Sequence, residues 1–214
     1  DIELKDVSFS YPNSNKLALE NVNLSIKKGE IIAIIGNSGS GKTTLINLIL
    51  GFISPNKGEV KVDNKNINNN LENWQSKLGY VPQDVYLMDE TLRENIAFGV
   101  PIDKVNHNLI NEVVKKSRLE DFINNLPDKL ESNVGNVGSK ISGGQRQRIG
   151  IARSLYTKPE ILILDEATNS LDIENENKII HEIFENKSDK TVIIISHRHH
   201  NLHMFDKIYK IENG

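Results

Sequence analysis

The chain has 214 residues and no cysteine, which excludes disulfides and thiolate metal sites and suits a reducing compartment. It also lacks long hydrophobic runs. The longest, such as Ile31 to Ile35 and Ile161 to Leu164, are far too short to span a bilayer, and no signal-peptide pattern opens the sequence. Charge of one sign is missing too. A net charge of −3 creates no field that would favour nucleic acid or an anionic membrane surface. No tandem repeat is visible. There is no initiator methionine either; a strand pattern starts almost at Asp1, so the sequence reads as a piece of something longer.

What is present is 37% hydrophobic and 26% charged residues, the balance of a globular protein able to bury a sizeable core. Ile2 to Phe9 alternates apolar and polar residues, as a half-exposed antiparallel strand does, and Val22 to Ile26 is a second such stretch. Glu30 to Ile35, Glu160 to Leu164 and Thr191 to Ile195 are continuous apolar runs that suit strands buried on both faces. Buried strands separated by helical stretches predict an α/β domain with a mainly parallel sheet. The Asn-rich segment Asn64 to Asn70 reads as a surface loop. Between about Asp84 and Tyr156 the period turns helical, with stripes at Leu109, Ile110, Val113 and Val114, then Leu119, Phe122, Ile123 and Leu126. These stripes read as core packing within a helical insert.

Gly36-Asn37-Ser38-Gly39-Ser40-Gly41-Lys42-Thr43 matches G-x-x-x-x-G-K-[ST] at every fixed position, after a buried strand and before a helix over Thr43 to Leu50. Glycines let the backbone wrap a polyphosphate, to which loop N–H groups and the helix N-terminus present positive potential. Lys42 reaches the β- and γ-phosphates in this reading, Thr43 offers a hydroxyl to Mg²⁺, and Thr44 completes the nucleotide-binding stretch. The strand from Ile161 ends in Asp165-Glu166, where parallel sheets bind ligands. Alone, this pair could simply cap the next helix. Beside a phosphate loop, Asp165 is a candidate Mg²⁺ ligand and Glu166 a candidate for polarising the attacking water.

Ser142 and Gln145, in Ile141-Ser142-Gly143-Gly144-Gln145, have capping-box spacing and by themselves mark only a helix start. The stretch, continuing through Arg146 to Arg153, nevertheless resembles the signature of the ABC ATPase family, usually Leu-Ser-Gly-Gly-Gln, and the resemblance covers nearly the whole chain. It implies a P-loop NTPase core with an antiparallel β subdomain and a helical subdomain, here about 84–156, within one ABC ATPase domain over 1–214. By the same resemblance Tyr11 stacks on adenine and Gln83, in Val81-Pro82-Gln83, touches Mg²⁺ and faces a membrane partner. Ser170-Leu171-Asp172 matches the D-loop, and His197 the switch histidine. ATP on one domain's loop is closed off by Ser142, Gly143, Gly144 and Gln145 of a second copy, so the implied assembly is a homodimer. Ile141 departs from the usual Leu, and Asn136 stands where exporters often carry a glutamate that contacts the membrane domain. The run His197, His199, His200 and His203 is read as part of the switch region rather than as a zinc site.

Tyr80 to Gly99 and Phe9-Ser10-Tyr11-Pro12 are similar to exporters whose membrane and ATPase parts share one polypeptide. Leu71 to Gln75 is similar to bacterial flippases for lipid-linked oligosaccharides. The resemblance therefore implies a transmembrane domain upstream of residue 1, a place on the cytoplasmic face of the inner (plasma) membrane, and ATP hydrolysis driving transport, with no nucleic-acid partner. An importer ATPase subunit and a soluble cassette of translation or DNA repair are the alternatives. A non-hydrolysing regulatory cassette would be expected to lack Glu166 or His197, and both are present.

Overall fold

The computed structural model describes residues 1–14, 16–134, 141–167, 173–185, 190–196 and 204–212, apart from the side chains of 173, 175, 176 and 185. The strands are β1 (Ile2–Phe9), β2 (Leu19–Ile26), β3 (Ile31–Gly36), β4 (Lys57–Val62), β5 (Lys65–Asn66), β6 (Leu78–Val81), β7 (Ile161–Asp165), β8 (Thr191–Ile195) and β9 (Lys207–Ile211). The α-helices among the described residues are α1 (Lys42–Leu50), α2 (Leu71–Gln75), α3 (Leu92–Ile96), α4 (His107–Lys116), α5 (Glu120–Asn124), α6 (Gly143–Tyr156) and α7 (Ile173–Glu185).

The chain folds into two compact units. The first comprises the described residues of 1–78, 160–165 and 188–214; the second comprises those of 79–159 and 166–187. In the first, β2-β1-β4-β5 form an antiparallel sheet, with Ile2 opposite Ile26 on one side of β1 and Val62 on the other. β7-β8-β3-β9 run parallel, and β6, which begins at Leu78, completes a five-stranded order at the β7 edge. The expected mainly parallel sheet with an antiparallel companion is therefore present. All residues of β7 and β8 are buried, as is β3 from Ile31 to Ile35, which is why these strands are apolar throughout rather than alternating. Asp206 locks the start of β3: its Oδ2 accepts from the Ile31 N–H at 2.8 Å and its own N–H donates to the Ile31 carbonyl.

α1 mixes strong helix formers (Lys42, Leu45, Leu48, Leu50) with weaker ones (Thr43, Thr44, Ile46, Asn47, Ile49), and it buries Leu45, Ile46, Leu48, Ile49 and Leu50. Each such burial is worth about 1.5–3 kcal/mol, several times a per-residue propensity difference. The Asn-rich segment is more ordered than the expected loop. Asn66 and Asn70 cap a 3₁₀ turn and α2 by accepting from the Asn68 and Asn73 N–H groups, while Ile67 is buried.

In the second unit α3 and α5 have five residues each, whereas α4, α6 and α7 have ten, fourteen and thirteen. α4 buries Ile110, Val113 and Val114 and ends where Arg118 turns to φ +57°. Leu119 and Ile123 are buried, while Phe122 and Leu126 are half-buried. α6 begins at the capping box its sequence suggests: Ser142 Oγ accepts from the Gln145 N–H at 3.2 Å, and Gln145 Oε1 accepts from the Ser142 N–H at 2.8 Å.

Candidate functional site

The phosphate loop joins β3 to α1 in the first unit. Two glycines are required there by contact. A Cβ on Gly36 would lie 2.5 Å from the Ile211 carbonyl oxygen, and one on Gly41 would lie 2.6 Å from that of Ala18. Gly41 is also at φ +105°, in the left-handed region that disfavours L side chains. Gly41 starts α1 without any side-chain cap, and no acidic residue occupies the first turn. The first-turn N–H groups thus have no intrahelical acceptor and carry the positive end of the helix dipole. Lys42 is 5% exposed, and its ammonium donates to the Gly36 and Asn37 carbonyls at 2.9 and 2.8 Å. Ser40 Oγ is buried and has no hydrogen-bond partner among the described residues. An uncapped helix end, a lysine folded over the loop and an orphaned hydroxyl together fit a bound polyphosphate.

A cavity of about 490 Å³ adjoins this loop, lined by Asn37, Ser38, Gly39 and Ser40 on one side and by Tyr11, Lys16 and Leu17 among others. Tyr11 is 43% exposed, with Phe9 edge-on to its ring at 5.0 Å and 86°. Its Oη lies 3.0 Å from Thr44 Oγ1. Thr43 is exposed at the start of α1, whereas Asp165 is buried as the last residue of β7.

The remaining candidates among the described residues belong to the second unit. Glu166 is half-buried and sits at φ +52°, uncommon for a residue with a side chain and worth about 1–3 kcal/mol of strain, the kind of local cost found at functional positions. Gln83 is exposed, and its carbonyl accepts from Gln147 Nε2 at 3.3 Å. Ser142 and Gly143 are exposed, and Gly144 and Gln145 half-exposed, at the tip of the fourteen-residue helix α6. His197, Ser170, Leu171, Asp172, Asn136, His199, His200 and His203 lie outside the described residues.

Sequence reasoning missed several supports. Gln147 is 4% exposed, and the inward face it shares with Ile151 is the only hint of its role. Asn95 is fully buried: its Oδ1 accepts from the Met88 N–H and Arg153 Nη2, and its Nδ2 donates to the Met88 and Thr91 carbonyls. Arg153 also donates to the carbonyls of Asn95 and Tyr86 and lies 5.2 Å from the Phe98 ring centroid. Burial holds its pKa below the usual arginine value. These contacts fix the segment that follows Gln83.

A glycine loop between a parallel strand and a helix, with a carboxylate ending the strand two places away in the same sheet, defines a P-loop nucleotide-binding protein. The chain matches the family described as ABC transporter over residues 19–169, and it belongs to that family. Over its full length it is 37% identical to an ATP-dependent lipid A-core flippase of Ralstonia nicotianae, covering 36% of that protein. It is 42% identical to a Staphylococcus aureus ATP-binding/permease protein named for multidrug export, covering 37% of it. A bacterial Atm1-family ABC exporter solved with ATP bound matches with a TM-score of 0.92 and 33% identity, over 100% of this chain and 37% of the exporter. The chain thus spans little more than a third of the length of these relatives.

Proposed function

We propose that the chain is the ATP-binding and ATP-hydrolysing domain of an ABC exporter, acting as a pair of copies with two ATP molecules between them. The observation that carries the pairing is the exposed tip of α6. Its capping box uses the Ser142 oxygen as acceptor and leaves the hydroxyl proton to donate, and the Gly143 and Gly144 N–H groups have no intrahelical acceptor. Three donors at a helix N-terminus suit the γ-phosphate of ATP held by a second copy's loop.

In the cycle, Tyr11 stacks on the base while the Gly36–Thr44 loop and Lys42 hold the phosphates. Glu166 orients a water and accepts its proton as the water oxygen attacks the γ-phosphorus, and the bond to the β,γ-bridging oxygen breaks. Thr43, Gln83 and Asp165 supply oxygen donors of the type Mg²⁺ takes, and that ion would neutralise charge on the phosphates. His197 is assigned the switch role by its place after β8. Loss of the γ-phosphate removes the contact to the facing Ser142, and the pair reopens.

No helix among the described residues is long and apolar enough to cross a membrane. The chain spans little more than a third of the length of its relatives, which supports a membrane segment outside the present sequence that carries the transport path, sets the substrate and holds the domain at the cytoplasmic face of the inner (plasma) membrane. The named relatives act on lipid A-core or are named for multidrug export, which favours an amphipathic, lipid-like cargo.

The test is Ser142→Ala. Turnover per chain, measured against chain concentration, should fall at least about tenfold, while ATP binding to the dilute single chain stays within about twofold. Weakened binding at dilutions where no pair forms would overturn the assignment of Ser142 to the facing site.

A further inference from the structure

Two charged residues, Lys16 and Glu212, are found among the described residues that line the cavity beside the phosphate loop. Glu212 is already paired with the Lys210 ammonium. Lys16 has no such partner: its ammonium makes no ion pair or hydrogen bond among the described residues. Its backbone, by contrast, is tied down. Ser14 Oγ accepts from the Lys16 N–H at 3.2 Å and donates to the Lys16 carbonyl at 3.1 Å, and the Ser14 N–H donates to the Tyr11 carbonyl at 3.1 Å. The Ala18 N–H donates to the Phe9 carbonyl at 2.8 Å, and the Ala18 carbonyl oxygen is the atom that a Cβ on Gly41 would meet. Two residues of chain span at most about 7 Å, so Lys16 is anchored close to the start of α1, on the Tyr11 side of the cavity. An exposed lysine is ordinarily a solvated surface group. Ser40 argues otherwise here. It lines the same cavity, is 6% exposed, and its hydroxyl has no partner among the described residues, so the cavity itself calls for a polar ligand.

We infer that Lys16 is a second cationic ligand for the nucleotide and takes the phosphate end next to the ribose, the part that ATP and ADP share. The inference rests on the nucleotide reading above and adds to it a division of labour between two lysines. Lys42, at the start of α1, serves the outer phosphates; Lys16 serves the inner end from the Tyr11 side. An ammonium is a compact point charge on a flexible stem, suited to an anion rather than to a shaped hydrogen-bonding edge. The inner phosphate is the anion nearest to the base, whereas base and ribose are neutral. Because the ammonium is exposed, the contact corresponds to about a two- to tenfold change in Kd.

Displacement of a fluorescent ATP analogue from the 214-residue chain by ATP, ADP and GTP, with Mg²⁺ present and the chain too dilute to pair, tests this. Lys16→Met should weaken all three nucleotides by the same factor, about two- to tenfold. Lys16→Arg keeps the charge and should bind all three as the wild type does. The loss in Lys16→Met should shrink as NaCl rises from about 0.1 M to about 1 M, where the screening length falls from about 10 Å to about 3 Å. A loss confined to ATP would move the ammonium to the γ-phosphate, and unequal losses for ATP and GTP would move it to the base. Either result overturns the inference, as does a loss under about twofold, a loss that salt leaves unchanged, or a failure of arginine to substitute. With a wild-type chain that binds ATP, such a result sinks this inference alone; a wild-type chain that binds none of the three sinks the nucleotide reading as well.

Discussion

Replacing Gly41 with alanine sets two effects against each other, and Gly39 provides the control that separates them. Both glycines adopt positive φ, +105° and +77°, so both alanine variants incur about 1–2 kcal/mol for placing a side chain in the left-handed region. Both also gain about 0.4–1 kcal/mol from a stiffer unfolded chain. They differ in the space available. A Cβ on Gly39 meets nothing within 4 Å, whereas one on Gly41 would lie 2.6 Å from the Ala18 carbonyl oxygen and 2.8 Å from Leu19 Cδ2. Neither neighbour yields easily, because the Ala18 N–H is bonded to the Phe9 carbonyl at 2.8 Å and Leu19 is fully buried. Overpacking of this kind typically costs about 1–3 kcal/mol. Gly39→Ala should therefore destabilise by about 0–2 kcal/mol and Gly41→Ala by about 1–5 kcal/mol, with the difference reporting the clash alone. Urea unfolding of the two variants beside the wild type measures this. If Gly39→Ala proved as damaging as Gly41→Ala, the contact at Ala18 and Leu19 would not be what requires glycine at 41, and the steric account of the loop would be wrong.

Glu166→Gln should leave ATP binding intact and slow hydrolysis by about 10²–10⁴-fold, the range for a general base; full turnover in a phosphate-release assay would remove Glu166 from that role. Glu30 offers a pH test. Partial burial alone would push its pKa up, but the Lys207 ammonium, 2.9 Å away, and the Lys27 N–H outweigh burial and hold the carboxyl below its ordinary value of 4.5. A lowered folded-state pKa gives stability that is present above that ordinary value and lost as pH falls through the folded one. Glu30→Gln should thus lower Tm at pH 7, and by differential scanning calorimetry the gap to the wild type should close as the pH falls below 4.5 through the folded value. A gap that stays the same size from pH 7 to the acid end would refute the ion pair's contribution.

Much of the fold could be read locally. Uninterrupted apolar runs marked β3, β7 and β8 because each is buried on both faces, leaving no polar face to encode. The phosphate loop and the Ser142–Gln145 capping box were equally legible, since their geometry closes within a few residues. The helical insert was harder to read. Its stripes located Ile110, Val113, Val114, Leu119 and Ile123 in the core, yet its division into short helices depends on turns such as that at Arg118, which no local period signals. The Asn-rich segment misled for a related reason. Asparagine favours loops and helix caps alike, and only the burial of Ile67 makes 64–70 an ordered corner.

The sequence by itself determined which residues are candidates to touch a nucleotide, because backbone wrapping, helix capping and strand-end carboxylates are properties of short segments. Only the tertiary structure decided how those residues are held. Tyr11 finds Thr44 across 33 positions, Asn95 finds Arg153 across 58, and Gln147 finds the Gln83 carbonyl across 64. It also put Glu166 at φ +52°, a conformation its neighbours in sequence would not choose. Partners so distant in the chain meet only after the core has formed, and the buried polar groups that pair there are selected by position in space rather than by spacing along the sequence.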